Sequence, residues 1–569
     1  MDFKKELSLI IDKCLEKEFG QRIEGIEDYI ETPPNPEMGD FAFPCFRLAK
    51  ALRKAPNAIA EQLAKSLGGS PASFLSKVQQ NGGYLNFFVD GAFFARAVIG
   101  AVKSQGEKYG ASDIGAGKTV CLDFSSINIA KKFHIGHLYT TVIGHSLKRI
   151  YEHLGYKTVS INHLGDWGSQ FGKLIVAYKK WGSKEKVEER LVDELVELYI
   201  RYHEEAEKEP SLDDEARAWF KKMEDGDGEA LEIYGWFKRI TLTEAAKTYD
   251  LLDIHFDSYN GEAFYNDKME PVVEELREKG LLKYSDGAQI VDLSEYDMPP
   301  MLVLRSDGAS LYHTRDLAAA FYRKKEYNFD KSLYVVAYQQ NLHFKQLFKV
   351  VELMGYDWAK DLIHVNYGMV SMEDGSLSTR HGRIIYLDEL LAQSIAKVKD
   401  IMQEKSPDLN DMDAIARDVG VGAVIFSALY TNRIKDVVFS WDRALNFDGE
   451  AGPYVQYTHA RCCSVLARAG EIWAVADYSA LTDPYSQQLL AAIAKFPQTV
   501  KDAAERNEPY LITRSVVAVA QAFNKFYYEN RIIDGDPGIK AARVALTDAA
   551  KTAIKTGLHL IGIKAPARM

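Results

Sequence analysis

The chain has 569 residues, beyond one hydrophobic core and sized for three or four domains at roughly 150 residues each. Hydrophobic residues make up 47% and charged residues 27%, the balance of an ordinary soluble globular protein, and no apolar run approaches the ~20 residues needed to cross a bilayer, so a cytoplasmic location is expected. The net charge of −11 argues against indiscriminate nucleic-acid binding while leaving room for a local basic face, and five cysteines without CxxC spacing (Cys14, Cys45, Cys121, Cys462, Cys463) indicate neither a disulfide framework nor a structural metal.

Residues 1–105 read as a unit of their own: an amphipathic N-terminal helix, a PPNPEMGDFAF turn, a basic helix from Pro44 that Pro56 interrupts, and a strand-like GGYLNFFV. Arg47, Lys50 and Lys54 recur at helical spacing and would line one face for phosphate contacts; a solvated helix face fits the same pattern. Ile114–Val120 (IGAGKTV) imitates the end of a P-loop. It fails because the required first glycine falls at Ser112 and the segment precedes a strand instead of following one.

A strand is predicted over Thr119–Ser126 and a helix over Ile135–Leu154. The intervening FSSINIAKKFHIGHL brings His134 and His137 to the helix start, where unpaired N–H groups and the helix dipole favour phosphate. Gly136 between them has no side chain, so an adenine or ribose can lie on the backbone. The histidines can then donate hydrogen bonds to a triphosphate whose charge rearranges during reaction. A second strand, TVSINHLG, follows, and strand–helix–strand order predicts a right-handed parallel crossover. In NHLGDWGSQ, His163, Asp166, Trp167 and Gln170 are expected to line or support a substrate site, with a plain turn at Gly165 and Gly168 as the competing reading.

From Lys173 to Lys279 the sequence consists of long charged helices, read as an insertion between two halves of a sheet. Strands resume at Leu333–Gln340 and Ile363–Val370, flanking a helix over Leu342–Met354, and complete a doubly wound parallel sheet. Beyond Leu387 the pattern is almost entirely helical. The expected fold is therefore α/β, Rossmann-like, with a helical insertion at 173–300, an α+β N-terminal domain and an all-α C-terminal bundle. Expected boundaries are 1–105, 106–386, a helical connector at 387–446, and 447–569.

The histidine pair resembles the HIGH motif of class I aminoacyl-tRNA synthetases. The ordered set FSSINIAKKFHIGHL, NHLGDWGSQFG, LYHTRDLAAA, AYQQNLH, HVNYGMV, SLSTRHG, GPYVQYTHAR and terminal APARM resembles the arginyl-tRNA synthetase family across nearly the full length. The resemblance implies ATP-dependent attachment of L-arginine to its tRNA through an arginyl-adenylate, with tRNA present for the first step. Catalysis of that kind is positioning plus stabilisation of phosphoryl charge. Magnesium would arrive with ATP, and no structural metal, no membrane and a monomer are expected.

By the same resemblance His134, His137, Lys131, Ser378 and Arg380 are the catalytic set. The family's second signature, a KMSKS loop, corresponds to Ser376–Arg380 and lacks both lysines; Lys131 and Arg380 become the cations at the phosphates. ATP contacts fall to His134, Gly136, His137, Met369, Val370 and Thr379, the adenine lying against the backbone at Met369 and Val370. For the amino acid, a planar guanidinium calls for carboxylates and carbonyl acceptors, and the corresponding residues are Asp123, Asn128, Tyr312, Asp316 and Gln340. Two aspartates aimed at one cation would reject citrulline and lysine. The family frequently carries glutamate at Asp123 and proline at Ile127. Singly, Asp316 also reads as a helix cap, Asn128 as a turn residue and Gln340 as a strand end.

Tyr457, Tyr527 and Met569 fall where the family meets the anticodon loop, where flat side chains suit splayed bases; the N-terminal unit would reach the D-loop side. Two rival readings are a metabolite nucleotidyl transferase, which the QYTHAR segment disfavours, and a silent tRNA-binding paralogue, which the lysine-free loop keeps open.

Overall fold

The computed structural model describes residues 3–33, 35–68, 72–305, 312–372, 386–407 and 409–569. Two compact units are formed: Met1–Tyr109 with Arg461–Phe496 and Ala518–Ile554, and Gly110–Ala460 with Pro497–Val517 and Lys555–Met569. The C-terminal helices are therefore divided between them.

In the first unit, β1 (Phe41–Pro44), β2 (Leu75–Asn81) and β3 (Tyr84–Val89) form an antiparallel sheet in the order β1-β3-β2. Helix Phe3–Phe19 places Leu7, Ile11 and Leu15 on one face, where they meet Phe43, Leu63 and Phe87 in a common core. The expected basic helix is not continuous. Cys45–Leu48 is a 3-10 turn and Ala49–Leu52 a single α turn, stopped at Arg53 with φ 50°. Pro56 then opens helix Pro56–Gly68, its fixed φ suiting a first turn. Arg47 stacks over Tyr29 and Lys54 over Phe19, so the three basic residues do not share one helix face.

The second unit holds the parallel sheet. β4 (Thr119–Asp123) and β5 (Lys157–Ile161) are joined by helix Ile135–His153. The insertion contributes helices from Ser169 to Leu252 and Met269–Glu278. It also contributes an antiparallel sheet of β6 (Leu282–Ser285), β7 (Ala288–Val291) and β8 (Met301–Leu304), which the sequence reading lacked. Asp286 and Gly287 between β6 and β7 both have positive φ, the Asp-Gly chemistry of a tight hairpin turn.

β9 (Lys331–Tyr334) and β10 (Leu362–His364) complete a four-stranded parallel sheet in the order β10-β9-β4-β5. β9 is shorter than expected. Val335 N–H still bonds Asp123 O, but Tyr338–Gln340 is already a 3-10 turn leading into helix Asn341–Leu353. The second expected strand also divides: β10 ends at His364, and β11 (Val370–Met372) pairs instead with β12 (Val437–Phe439).

Because β4 leads outward to β5 and β9 leads the other way to β10, the chain reverses direction between the central strands. Their carboxyl ends open the crevice where open α/β sheets bind ligands. Asp123 is the last residue of β4 and lies opposite Tyr334, the last of β9. Among the described residues no helix is long and apolar enough to cross a membrane.

Candidate active site

The link from β4 to helix Ile135–His153 holds three non-glycine residues in left-handed backbone: Ser125 (φ 75°), Ser126 (φ 47°) and Ala130 (φ 59°). Each costs on the order of 1–2 kcal/mol, and side chains offset that cost. Ser125 N–H donates to Thr140 Oγ1 (3.0 Å), Ser125 Oγ meets Tyr249 OH (2.8 Å), and Ala130 N–H donates to Thr241 Oγ1 (3.0 Å). Thr241 and Tyr249 belong to helix Gly228–Leu252 of the insertion, so the insertion braces the nucleotide loop.

His134 is the N-cap of helix Ile135–His153. Its Nδ1 accepts from Gly136 N–H (3.1 Å), and His137 Nδ1 accepts from His134 N–H (3.2 Å), a capping box built from two imidazoles. Burial pushes His137 down to about 3, aided by His134, and burial with Lys131 nearby also lowers His134. Both rings are therefore neutral at pH 7 with the proton on Nε2. The pair offers two fixed N–H donors beside a helix N-terminus, suited to a phosphate whose charge builds up during reaction.

Gly136 has a role the sequence did not disclose. A Cβ there would lie 2.8 Å from His134 Cε1 and 2.9 Å from Nδ1, so any side chain displaces the capping ring. Gly136→Ala is expected to raise KM for ATP and lower kcat for adenylate formation, together about 100-fold in kcat/KM, the scale of losing one preorganised donor, in an ATP–pyrophosphate exchange assay. KM for arginine should stay within about twofold.

Of the expected arginine-site residues, Asp123 and Asp316 are linked through intervening side chains. Asp123 is buried, and its Oδ2 is 2.8 Å from Nη2 of Arg323, whose side chain is 1% exposed. The chain thus supplies its own guanidinium to Asp123, while Ser126 Oγ donates to Oδ1 (3.1 Å). Arg323 Nη2 also approaches His163 Nδ1 (3.3 Å), and His163 Nε2 lies 3.8 Å from Asp316 Oδ1. His343 Nε2 donates to Asp316 Oδ2 (2.7 Å). The result is a chain of polar contacts, Asp123–Arg323–His163–Asp316–His343, in place of two carboxylates about one guest.

Burial pushes the Asp316 carboxyl up, but the His343 hydrogen bond and the charges of His343, His163 and Arg323 hold it below the usual carboxylate range. It therefore stays ionised, with its side chain 29% exposed. A second carboxylate lies close enough to Asp316 for their like charges to interact. Glu262 is pushed up to about 7 by burial, with Arg315 opposing and the like charges of Asp316 and Asp166 adding to the rise. A carboxyl raised by burial beside an ionised neighbour is a site that gains by taking a cation.

Asn128 bridges to Gly165, where a Cβ would lie 2.2 Å from Asn128 Oδ1; the missing side chain makes room for the amide. Gln340 is exposed at the start of helix Asn341–Leu353. Tyr312 opens helix Tyr312–Tyr327, whose described side chains begin at His313. Gln170 Nε2 donates to Trp167 O (3.2 Å).

The backbone of Met369, expected against adenine, is already engaged: its N–H donates to Asp436 Oδ1 (2.6 Å) and its C=O accepts from Val437 N–H (2.9 Å). Val370 sits in β11, opposite Val437. The backbone contact expected at Met369 is thus taken by the chain, leaving its 40% exposed side chain. Lys131 is exposed, close enough to act electrostatically on both histidines. Ser378, Thr379 and Arg380 lie outside the described residues. Tyr386, six residues on in sequence from Arg380, bridges to His134, and Leu387 N–H bonds Phe133 O (2.9 Å).

In the second unit Tyr457 is 40% exposed, and Met569 packs against a cluster of Val398, Met402, Ala416 and Val419. In the first unit Tyr527 is 36% exposed beneath the Arg461 guanidinium at 5.3 Å.

Three family models match in sequence order: the arginyl tRNA synthetase N-terminal domain over 5–89, the catalytic domain of class I (R) tRNA synthetases over 98–441, and the DALR anticodon binding domain over 455–569. An arginine–tRNA ligase of Clostridioides difficile is 54% identical over 567 residues, covering 99% of this chain and all of that one. The chain belongs to the arginyl-tRNA synthetase family. An arginine–tRNA ligase of Alkaliphilus metalliredigens is 52% identical with full coverage of both chains. The solved arginyl-tRNA synthetase of Thermus thermophilus superposes with a TM-score of 0.80 at 26% identity, covering both chains fully.

Within this synthetase the sequence reading omitted Arg323, His343 and Glu262. Arg323 had a signal: it stands seven residues after Asp316 on one helix, two turns along the same face, directly after the apolar run LAAAFY. Glu262 had none, since its partners come from three distant segments.

Proposed function

We propose that this protein activates L-arginine with ATP and transfers it to the 3′-terminal ribose of its tRNA. The observation that carries the reading is the pairing, at the carboxyl ends of β4 and β9, of two neutral imidazole donors with an acidic pocket around Asp316 and Glu262. In this reading His134 and His137 donate from Nε2 to the ATP phosphates, and Lys131 supplies positive charge where the sequence at 376–380 lacks lysine. The arginine guanidinium lies between Asp316 and Glu262, with Asn128, Tyr312 and Gln340 about the rest of the amino acid. Asp123 acts through Arg323, fixing His163 and thereby the Asp316 carboxylate. Its carboxylate in line with the α-phosphate, the arginine displaces pyrophosphate.

Magnesium arriving with ATP, a monomeric state, a cytoplasmic location, anticodon contacts at Tyr457, Tyr527 and Met569, and Ser378, Thr379 and Arg380 at the phosphates belong to the same proposal. So does the division into an N-terminal tRNA-binding domain, a catalytic domain, a connector and an anticodon-binding domain. They rest on the family's motifs at these positions. The test is arginine-dependent exchange of pyrophosphate into ATP, which should appear only when tRNA is added. Exchange with another amino acid, or at equal rate without RNA, would count against the reading.

The pocket also sets a pH dependence. Arginine binds the ionised form of Glu262, which in the free site titrates at about 7. On acidification through that value kcat/KM for arginine should fall, approaching tenfold per pH unit, and above it the value should level off. Glu262→Gln should abolish this acid limb while lowering the plateau; an unchanged limb in that variant would remove Glu262 from the pocket.

A further inference from the structure

Asp166 is fully buried, and its side-chain hydrogen bonds among the described residues lead to other segments. Its Oδ2 accepts from Lys238 Nζ (2.6 Å) and Tyr234 OH (3.2 Å), both on helix Gly228–Leu252 of the insertion. Its Oδ1 accepts from Ala263 N–H (2.9 Å), one residue past Glu262. Glu262 N–H itself donates to Leu164 O (3.0 Å). At Gly261 a Cβ would lie 2.5 Å from both Asp166 Oδ1 and Leu164 O, so the two loops approach as closely as backbone permits. Trp167, next in sequence, gives its backbone N–H to the Glu262 carboxyl. Its indole is fixed edge-on between Phe220 (5.6 Å) and Tyr234 (6.0 Å), again from the insertion.

We infer that Asp166 and Trp167 are positioning residues through which the inserted helices hold the Glu262 carboxylate at the guanidinium pocket, making the insertion part of the enzyme's arginine specificity. This rests on the reading of Glu262 as a guanidinium acceptor. Lys238 and Tyr234 clamp one oxygen of Asp166, the other oxygen clamps the backbone at Ala263, and Trp167 aims the Glu262 side chain. Tyr234 and Lys238 reach the acceptor from the early turns of helix Gly228–Leu252, while Thr241 and Tyr249 further along the same helix brace the nucleotide loop. The electrostatics follow the same wiring. Glu262 faces Arg315 and Asp316 from helix Tyr312–Tyr327, Asp166 and the Trp167 N–H from the loop after β5, and Tyr234 from the insertion, while Lys238 offsets the Asp166 charge.

The test is tRNA charging kinetics from about pH 5.5 to 8.5 for the full-length protein and its Asp166→Asn, Lys238→Met and Glu262→Gln variants. Asp166→Asn and Lys238→Met should each raise KM for arginine about tenfold and leave KM for ATP within about twofold, the scale of losing one buried charged partner. The acid midpoint of kcat/KM for arginine should move in opposite directions. It falls in Asp166→Asn, where a negative neighbour of Glu262 is gone, and rises in Lys238→Met, where the Asp166 charge beside Glu262 loses its counter-ion.

A parallel loss in kcat with an unmoved arginine KM and an unmoved midpoint in both variants would overturn the inference and leave only a structural contact. Should Asp166→Asn not fold, Lys238→Met decides by the same readouts, because Lys238 is part-exposed and its loss leaves the backbone clamp in place. Glu262→Gln separates the two levels. If it leaves arginine KM unchanged the pocket reading itself fails; if it raises KM while the other two variants do nothing, only the positioning inference fails.

Discussion

Asp316→Asn is expected to lower kcat/KM for arginine by roughly 100- to 1,000-fold, measured as tRNA charging at saturating ATP. The carboxylate is held ionised against burial by the His343 hydrogen bond at 2.7 Å and by His163 and Arg323. Removing one member of a desolvated, hydrogen-bonded charge pair costs about 2–5 kcal/mol, and each 1.36 kcal/mol is about a factor of ten. The loss should fall on arginine alone. KM for ATP should stay within about twofold, because the phosphate donors are set by the capping box at His134 and His137. An equal rise in both Michaelis constants would place Asp316 outside the amino-acid pocket.

Arg323→Met is expected to destabilise the second unit by about 3–5 kcal/mol in urea unfolding, the range for breaking one side of a buried ion pair. Asp123 is 6% exposed, and its remaining side-chain partner is Ser126 Oγ, too little to carry a buried charge. The double variant Asp123→Asn/Arg323→Met should recover most of that loss, since a neutral pair carries no uncompensated charge. A single-variant loss below about 1 kcal/mol, or no recovery in the double variant, would contradict the account of this pair. Arginine KM should rise in both variants, because His163 loses the Arg323 contact that fixes it beside Asp316.

What the sequence disclosed was local or ordered along the chain. The β4–helix–β5 unit, the histidine pair at the helix start and the parallel crossover all follow from hydrophobic period and capping chemistry within a few dozen residues. The gathering of Asp123 and Asp316 at one end of the sheet followed from strand and helix order. Which cation Asp123 meets was hidden, because nothing in the local pattern states that Arg323 turns inward. Glu262 was hidden more deeply: its burial, its Asp166 anchor and its Asp316 neighbour are all long-range facts. The helix starting at Tyr338–Gln340 in place of a strand, and the use of Met369 backbone by Asp436 and Val437, have the same origin in tertiary pairing. The hairpin between β6 and β7, by contrast, is legible in Ser285-Asp-Gly-Ala, a turn signal inside a stretch whose charged periodicity reads as helical.

The most direct measurement compares charging of tRNA with arginine and with citrulline at about pH 8, where Glu262 is ionised. Citrulline has nearly the same shape and no charge, so it leaves Asp316 and Glu262 desolvated without a cation. The account predicts discrimination of at least about 10,000-fold in kcat/KM, the scale for a site built around a specific polar partner. Citrulline charged within about tenfold of arginine would contradict it.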